Sequence, residues 1–229
     1  MDIRKNYLAV CREIEKACSN SNRDPAEVSL VAVTKTFPAE TVAAAIDAGI
    51  RIVGENRLQE AREKFDQIGN RVNWHFIGHL QTNKVKTAVR IFDVIESVDS
   101  IHLAREIDKQ AQLLERQVNI FIQVNTSGEV SKFGIHPDNV SETITQIIDL
   151  QHINIMGLMT IAAFLPDAEQ VRPSFTLLRD LRDRINQETG LNSLPYLSMG
   201  MSNDFQTAIE EGSTHVRLGR ALFGERTKH

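Results

Sequence analysis

The 229-residue chain has only two cysteines, Cys11 and Cys18. On a shared helix they stand about two turns, roughly 10 Å, apart. That is too far for a disulfide, and the spacing matches no metal or redox motif. They read as small apolar residues on a buried face, and so few cysteines point to a reducing compartment. There is no excess of positive charge either. The net charge is −4, with acidic and basic residues mixed along the chain, which excludes an electrostatic nucleic-acid binder. A phosphate ligand remains compatible, because local positive charge matters more than the total. No apolar run reaches the length of a transmembrane helix. The first residues, MDIRKNYLAV, lack the apolar core of a signal peptide. Nor is there a Pro/Gly/Ser-rich linker, a low-complexity tract or a repeat. The expectation is a soluble cytoplasmic protein with one domain over 1–229.

What is present is apolar and regularly spaced. Hydrophobic residues make up 41% of the chain, enough for a sizeable core. Residues 3–18 carry Ile3, Tyr7, Val10, Ile14 and Cys18 at helical spacing. Eight short apolar runs follow, at 28–34, 51–56, 73–79, 92–98, 118–125, 154–160, 195–200 and 214–219. Amphipathic helical patterns separate them at 39–49, 57–69, 101–117, 138–150, 171–190 and 202–212. Several of these stop at glycine. Continuous rather than alternating apolar strands imply a parallel sheet covered on both faces. Eight β/α units in this length predict an α/β fold, a (β/α)8 TIM barrel with an extra N-terminal helix. A doubly wound open sheet is the second choice.

In such a barrel the chemistry gathers at the C-terminal ends of the strands, and loops after the seventh and eighth often hold phosphate. In SLVAVTKTFP, Lys35 stands where the first apolar run stops. It is either an ion-paired or snorkelling lysine or a Schiff-base lysine whose amine is kept neutral by desolvation and nearby cations. Asn56 ends the second strand, His79 follows the third, and Met159 and Thr160 end the sixth. SMGMSNDFQTAI sets a glycine before Ser202, which reads as the N-cap of a helix and so as an anion site. VRLGR adds the amides of Gly219 and Arg220; the alternative for both elements is an ordinary cap and an ordinary left-handed turn. Two such elements on adjacent strands point to phosphate. Arg217 alternates with Val216 and Leu218 and needs an acceptor inside the barrel. That acceptor is either a ligand or a carboxylate such as Glu55 or Glu96. His75 and His79 read as core or site-wall residues rather than metal ligands. Lys132 reads as a solvated loop lysine, with anion binding as its alternative, and Lys84 and Lys86 as a solvated helix face.

Taken together, SLVAVTKTFP, VGENRLQE, WHFIGHLQTNK, GLMTI, SMGMSNDFQTAI and VRLGRALFGER resemble the pyridoxal phosphate homeostasis protein family, single-domain relatives of the alanine racemase barrel. The resemblance runs from about Val31 to Arg226. It implies a (β/α)8 barrel carrying pyridoxal 5′-phosphate (PLP), with Lys35 forming the internal aldimine. Ser202, Gly219 and Arg220 would hold the phosphate, the last two through backbone amides. Arg217 would face the pyridine nitrogen, and Asn56 and Met159 would lie beside the ring. The chain departs from the family at Arg220, where a small or hydroxylic residue is common. It also lacks the tyrosine that many relatives carry near the end.

Two functions follow from the resemblance. An arginine opposite the ring nitrogen leaves it neutral and weakens the electron sink that a carboxylate would supply. Racemisation further needs a second acid–base group, which alanine racemases take from a C-terminal β-domain that this chain does not show. The two tyrosines, Tyr7 and Tyr196, are poorly placed for the task. The expectation is a non-catalytic protein that holds PLP as a lysine Schiff base for intracellular homeostasis and delivery to apo-enzymes. A PLP-dependent amino-acid racemase of low activity is the alternative. A Schiff-base aldolase would need Glu55 or Glu96 as its acid–base group. With no exposed apolar heptad, a monomer is expected.

Overall fold

A computed structural model describes residues 2–129, 132–163, 165, 167–189 and 194–225. Arg226 and the terminal stretch to His229, where the departure near the end falls, lie outside the described residues, as does the glycine stop at 190.

Eight parallel strands close into a barrel in sequence order, each followed by helix. They are β1 (Ser29–Val33), β2 (Ile52–Glu55), β3 (Asn73–Phe76), β4 (Val94–Val98), β5 (Val118–Gln123), β6 (Ile153–Met159), β7 (Tyr196–Met201) and β8 (His215–Leu218). The helices are α1 (Ile3–Asn20), α2 (Ala39–Ala48), α3 (Leu58–Ile68), α4 (Val85–Ile91), α5 (Ile101–Leu113), α6 (Val140–Ile147), α7 (Arg172–Thr189), α8 (Phe205–Glu210) and α9 (Arg220–Phe223). The expected barrel is present. β1, β2, β3, β5, β6 and β8 stop before the ends of their apolar runs, and Lys35, Asn56 and Gly219 lie beyond the ends of β1, β2 and β8, in the loops at the barrel mouth.

Closure comes from β8 pairing with β1 in register, Val31 opposite Arg217. The extra helix α1 packs on α2, α8 and α9, over that seam. Asp2 caps it by accepting from the Lys5 amide at 2.9 Å. Three long-range hydrogen bonds fasten this end: Asn6 Nδ2 donates to Leu222 O at 2.8 Å, and Arg23 to Ile209 O at 2.8 Å and Ser213 O at 2.7 Å. Cys18 is buried on α1 and Cys11 half-buried. Lys84 and Lys86 are exposed around the start of α4.

The apolar residues divide into two sets. The large one lies between barrel and helices and includes Trp74, Phe92, Ile107, Phe175 and Val216. A small one, Val94, Phe121 and Met159, is separate from it. Met159, which the resemblance places beside the ring, ends β6 fully buried in this second cluster and does not line the cavity described below. The pairing of β5 with β6 shifts register between Ile120 and Phe121. Among the described residues no helix is long and apolar enough to cross a membrane.

Candidate functional site at the barrel mouth

A cavity of about 430 Å³ opens at the C-terminal ends of the strands, within the range of small-molecule sites. Lys35, Asn56, His79, Ser202, Arg217, Gly219 and Arg220 all line it. Gln123, Phe133, Ile161 and Asp204 line it as well; nothing in their local sequence singles them out.

Lys35 is presented by a tight turn. Phe37 N donates to Thr34 O at 3.1 Å, and Thr36 sits at φ +70°. A left-handed conformation is unfavourable for a β-branched residue. Its amide is held by the Glu60 carboxylate at 2.8 Å, which fixes the backbone beside the lysine. Phe37 also meets the Phe223 ring of α9, centroids 5.1 Å apart, so the loops after β1 and β8 are packed together. Asn56 follows β2. The chain at Gly78 runs so close behind it that a Cβ there would sit 2.4 Å from Asn56 O. The Asn56 side-chain Oδ1 is buried with no protein hydrogen bond. An orphaned buried acceptor is costly and marks a position awaiting a donor.

Ser202 does not cap a helix. Gly200 takes φ +94°, and the Asp204 carboxylate accepts the Met201 amide at 2.5 Å, so the turn extends to Asp204 and α8 begins at Phe205. Ser202 Oγ instead accepts from the Ala221 amide in the first turn of α9 at 3.4 Å. This joins the β7 and β8 loops. Gly219 has φ −113° and is therefore not a left-handed turn. The first hydrogen bond within α9 starts at Leu222 N, so the amides of its first turn are not used inside the helix. The Arg220 side chain donates to Asn203 Oδ1 at 3.1 Å.

Of the acceptors considered for Arg217, the carboxylate is present. The guanidinium lines the cavity, and its protein carboxylate is Glu96, at 3.8 Å. It donates to Ser198 Oγ at 2.5 Å and to Thr160 O at 2.6 Å. Glu55 is committed elsewhere, to Lys64 and Thr34. Neither of these glutamates, the acid–base candidates for an aldolase, lines the cavity. His75 is a core residue bonded to Glu96 at 2.7 Å. His79 forms part of the wall. It lies 3.3 Å from Asp99 and stacks on Phe133 with centroids 3.9 Å apart. Lys132 is not freely solvated: it pairs with Glu129 at 2.9 Å and does not line the cavity.

A model of the alanine racemase N-terminal domain family matches residues 12–227. A pyridoxal phosphate homeostasis protein from Aquifex aeolicus is 42% identical over 99% of both chains. The chain belongs to the pyridoxal phosphate homeostasis protein family. Among solved structures, PipY from Synechococcus elongatus, determined with PLP bound, superposes with a TM-score of 0.82 at 36% identity. That match covers 93% of this chain and all of PipY. Alanine racemase from Clostridium difficile shares the barrel at a TM-score of 0.74 and 16% identity, over 99% of this chain and 57% of the racemase. At that identity the likeness speaks for the fold alone.

Proposed function

We propose that this chain binds PLP in the barrel-mouth cavity, holds it as a lysine Schiff base on Lys35, and serves PLP homeostasis and delivery rather than catalysis. The observation that carries the reading is convergence. One amine, one buried guanidinium, an orphaned asparagine oxygen and two interlocked loops face a single cavity of small-molecule size.

The residues present suit the group chemically. PLP supplies an aldehyde, and the Lys35 amine condenses with it, releasing one water. Arg217 and Arg220 line the same cavity as Lys35, and cations close to an amine favour its neutral, nucleophilic form. Ser202 and the amides of Gly219 and Arg220 are the donors suited to the phosphate. Asn56 Oδ1 offers an acceptor at the wall. Arg217 stays charged, and a fixed cation disfavours protonation of a ring nitrogen near it. With the ring neutral the electron sink is weak, which suits holding over turnover. No tyrosine is among the described residues lining the cavity; Tyr7 is on α1, and Tyr196 starts β7 and packs edge-on to His215. The second acid–base group that alanine racemases use therefore has no counterpart among these residues.

The test is an absorbance spectrum of the purified protein after incubation with PLP, before and after borohydride, followed by peptide mapping. The expected result is a visible band, a reduced adduct on Lys35, loss of both in Lys35→Ala, and negligible turnover of amino acids. An adduct on another lysine, or amino-acid racemisation as fast as an ordinary enzyme achieves, would reject the proposal.

A further inference from the structure

Arg217 is the lip of a buried polar chain that none of the cavity contacts requires. Its Nη1 donates to Ser198 Oγ at 2.5 Å. Ser198 in turn donates its single proton to Glu96 Oε2 at 2.5 Å. The other carboxylate oxygen of Glu96 is bonded to His75 Nδ1 at 2.7 Å. The four side chains come from β8, β7, β4 and β3, and strands so far apart around the barrel can meet only across its interior. All four are buried, Glu96 and Ser198 completely. Taking a carboxylate and a guanidinium out of water is expensive and is offset only by excellent geometry. Here the geometry fixes direction as well as distance. Ser198 has one proton to give, and giving it to Glu96 turns its lone pairs toward Arg217.

We propose that Glu96 and Ser198 are positioning residues that hold Arg217 as a fixed cation at the cavity wall, and that Glu96 thereby sets the protonation behaviour of the PLP adduct bound beside it. The inference rests on the PLP reading above. The charged and titratable groups facing Arg217 are Glu96 on β4, His215 on β8 and Asp204 after β7, with His75 behind Glu96. Lys35 lines the same cavity. Of the two carboxylates, Asp204 is already occupied by the Met201 amide, so Glu96 is the one linked to Arg217 by the serine.

The experiment titrates the visible band of the PLP-loaded protein against pH in the wild type, Glu96→Gln and Ser198→Ala, with thermal melts run in parallel. Glu96→Gln keeps the shape and removes one negative charge. The midpoint should fall by roughly one pH unit, the order of effect expected when a nearby unit negative charge is removed at an effective dielectric near 20. Ser198→Ala keeps both charges and removes the link. It should weaken PLP binding about tenfold, while competition by inorganic phosphate alone, a measure of the phosphate subsite, stays unchanged. A purely structural role would lower the melting temperature and leave both the midpoint and the affinity as they were; that outcome overturns the inference. Should Glu96→Gln fail to fold, the affinity of Ser198→Ala decides on its own. A wild-type protein with no visible band would reject the PLP reading and this inference together, whereas a normal wild-type band with unchanged variants would reject this inference alone.

Discussion

Glu55 and Glu96 are both wholly buried, two strands apart in one barrel, yet their carboxyls respond in opposite directions. Glu55 faces the helices, where Lys64 of α3 meets it at 2.5 Å and Thr34 at 2.6 Å, and its Oε2 has no partner. Burial is the dominant influence there and pushes the carboxyl up, against the opposing pull of Lys64 and Thr34. Glu96 faces the barrel interior. Burial is again the largest single influence and also acts upward, but hydrogen bonding and charge from His75, the charge of Arg217 and the Ser198 hydroxyl together outweigh it and bring the carboxyl down to about 2. Depth is therefore not what decides the state of a buried acid. Each acid has two donors, but at Glu55 both fall on Oε1, whereas Glu96 has a donor on each oxygen and the charge of Arg217 besides.

The comparison breaks most visibly at Lys64. In Lys64→Met, Glu55 would lose the cation that pairs with it. Removing one member of a buried pair typically costs about 3–5 kcal/mol, and we expect that loss in urea unfolding at pH 7. The penalty should shrink as the pH is lowered, because Glu55 then takes up a proton. Adding Glu55→Gln to the same chain should recover most of it. A loss below about 1 kcal/mol at pH 7 would mean that the interlayer is wetter than its packing indicates.

A second test bears on the interior. His215 lies beside this network, ring centroid 6.0 Å from that of His75. Burial, only partly opposed by Glu96, lowers its pKa to about 4 from an ordinary 6.5. The sign follows directly. Between these values the unfolded chain binds more protons than the folded one, so the contribution of His215 is complete above pH 6.5 and declines as the pH falls toward 4. Glu96, lowered rather than raised relative to an ordinary carboxyl, adds stability above about pH 4.5 that is lost only toward pH 2. In unfolding free energies measured from pH 7.5 to 4, His215→Gln should remove a decline on the order of 2–3 kcal/mol. Parallel wild-type and variant curves would show that the imidazole is solvated.

Much of this architecture can be read in the chain itself, and the parts that cannot share a physical cause. The strands announce themselves because a doubly covered parallel strand is apolar throughout, and polar residues at the ends of such runs must face either solvent or a ligand. That logic brings Lys35, Asn56, Ser202, Arg217, Gly219 and Arg220 to one cavity. It does not bring Met159 to the cavity, because that side chain is buried with Val94 and Phe121, and it fails for the start of α8, where Asp204 rather than Ser202 closes the turn. It also misses the links that depend on closure. Ser198 and Glu96 are 102 residues apart, and no local spacing records that they touch. Lys64 looks like any amphipathic-helix lysine until α3 folds back on β1 and β2.

The smallest effect tests how separate the two acids are. Thr34 donates to Glu55 and immediately precedes Lys35, so the interlayer pair and the cavity share one stretch of backbone. Thr34→Val keeps the shape and removes a hydrogen bond to a charged group, which costs about 1.5 kcal/mol. Glu55 should move further upward, and the loss should therefore ease in acid. Lys64 donates to the backbone oxygen of residue 34 at 2.8 Å, a contact that the valine retains, so the turn that presents Lys35 should survive. Stability should fall while borohydride trapping of PLP on Lys35 proceeds at its wild-type rate. If trapping slows by more than the loss of folded protein explains, the side chain of Thr34 also orients the lysine. Glu55 would then belong to the site as Glu96 does, reaching it from the helix side of the barrel wall.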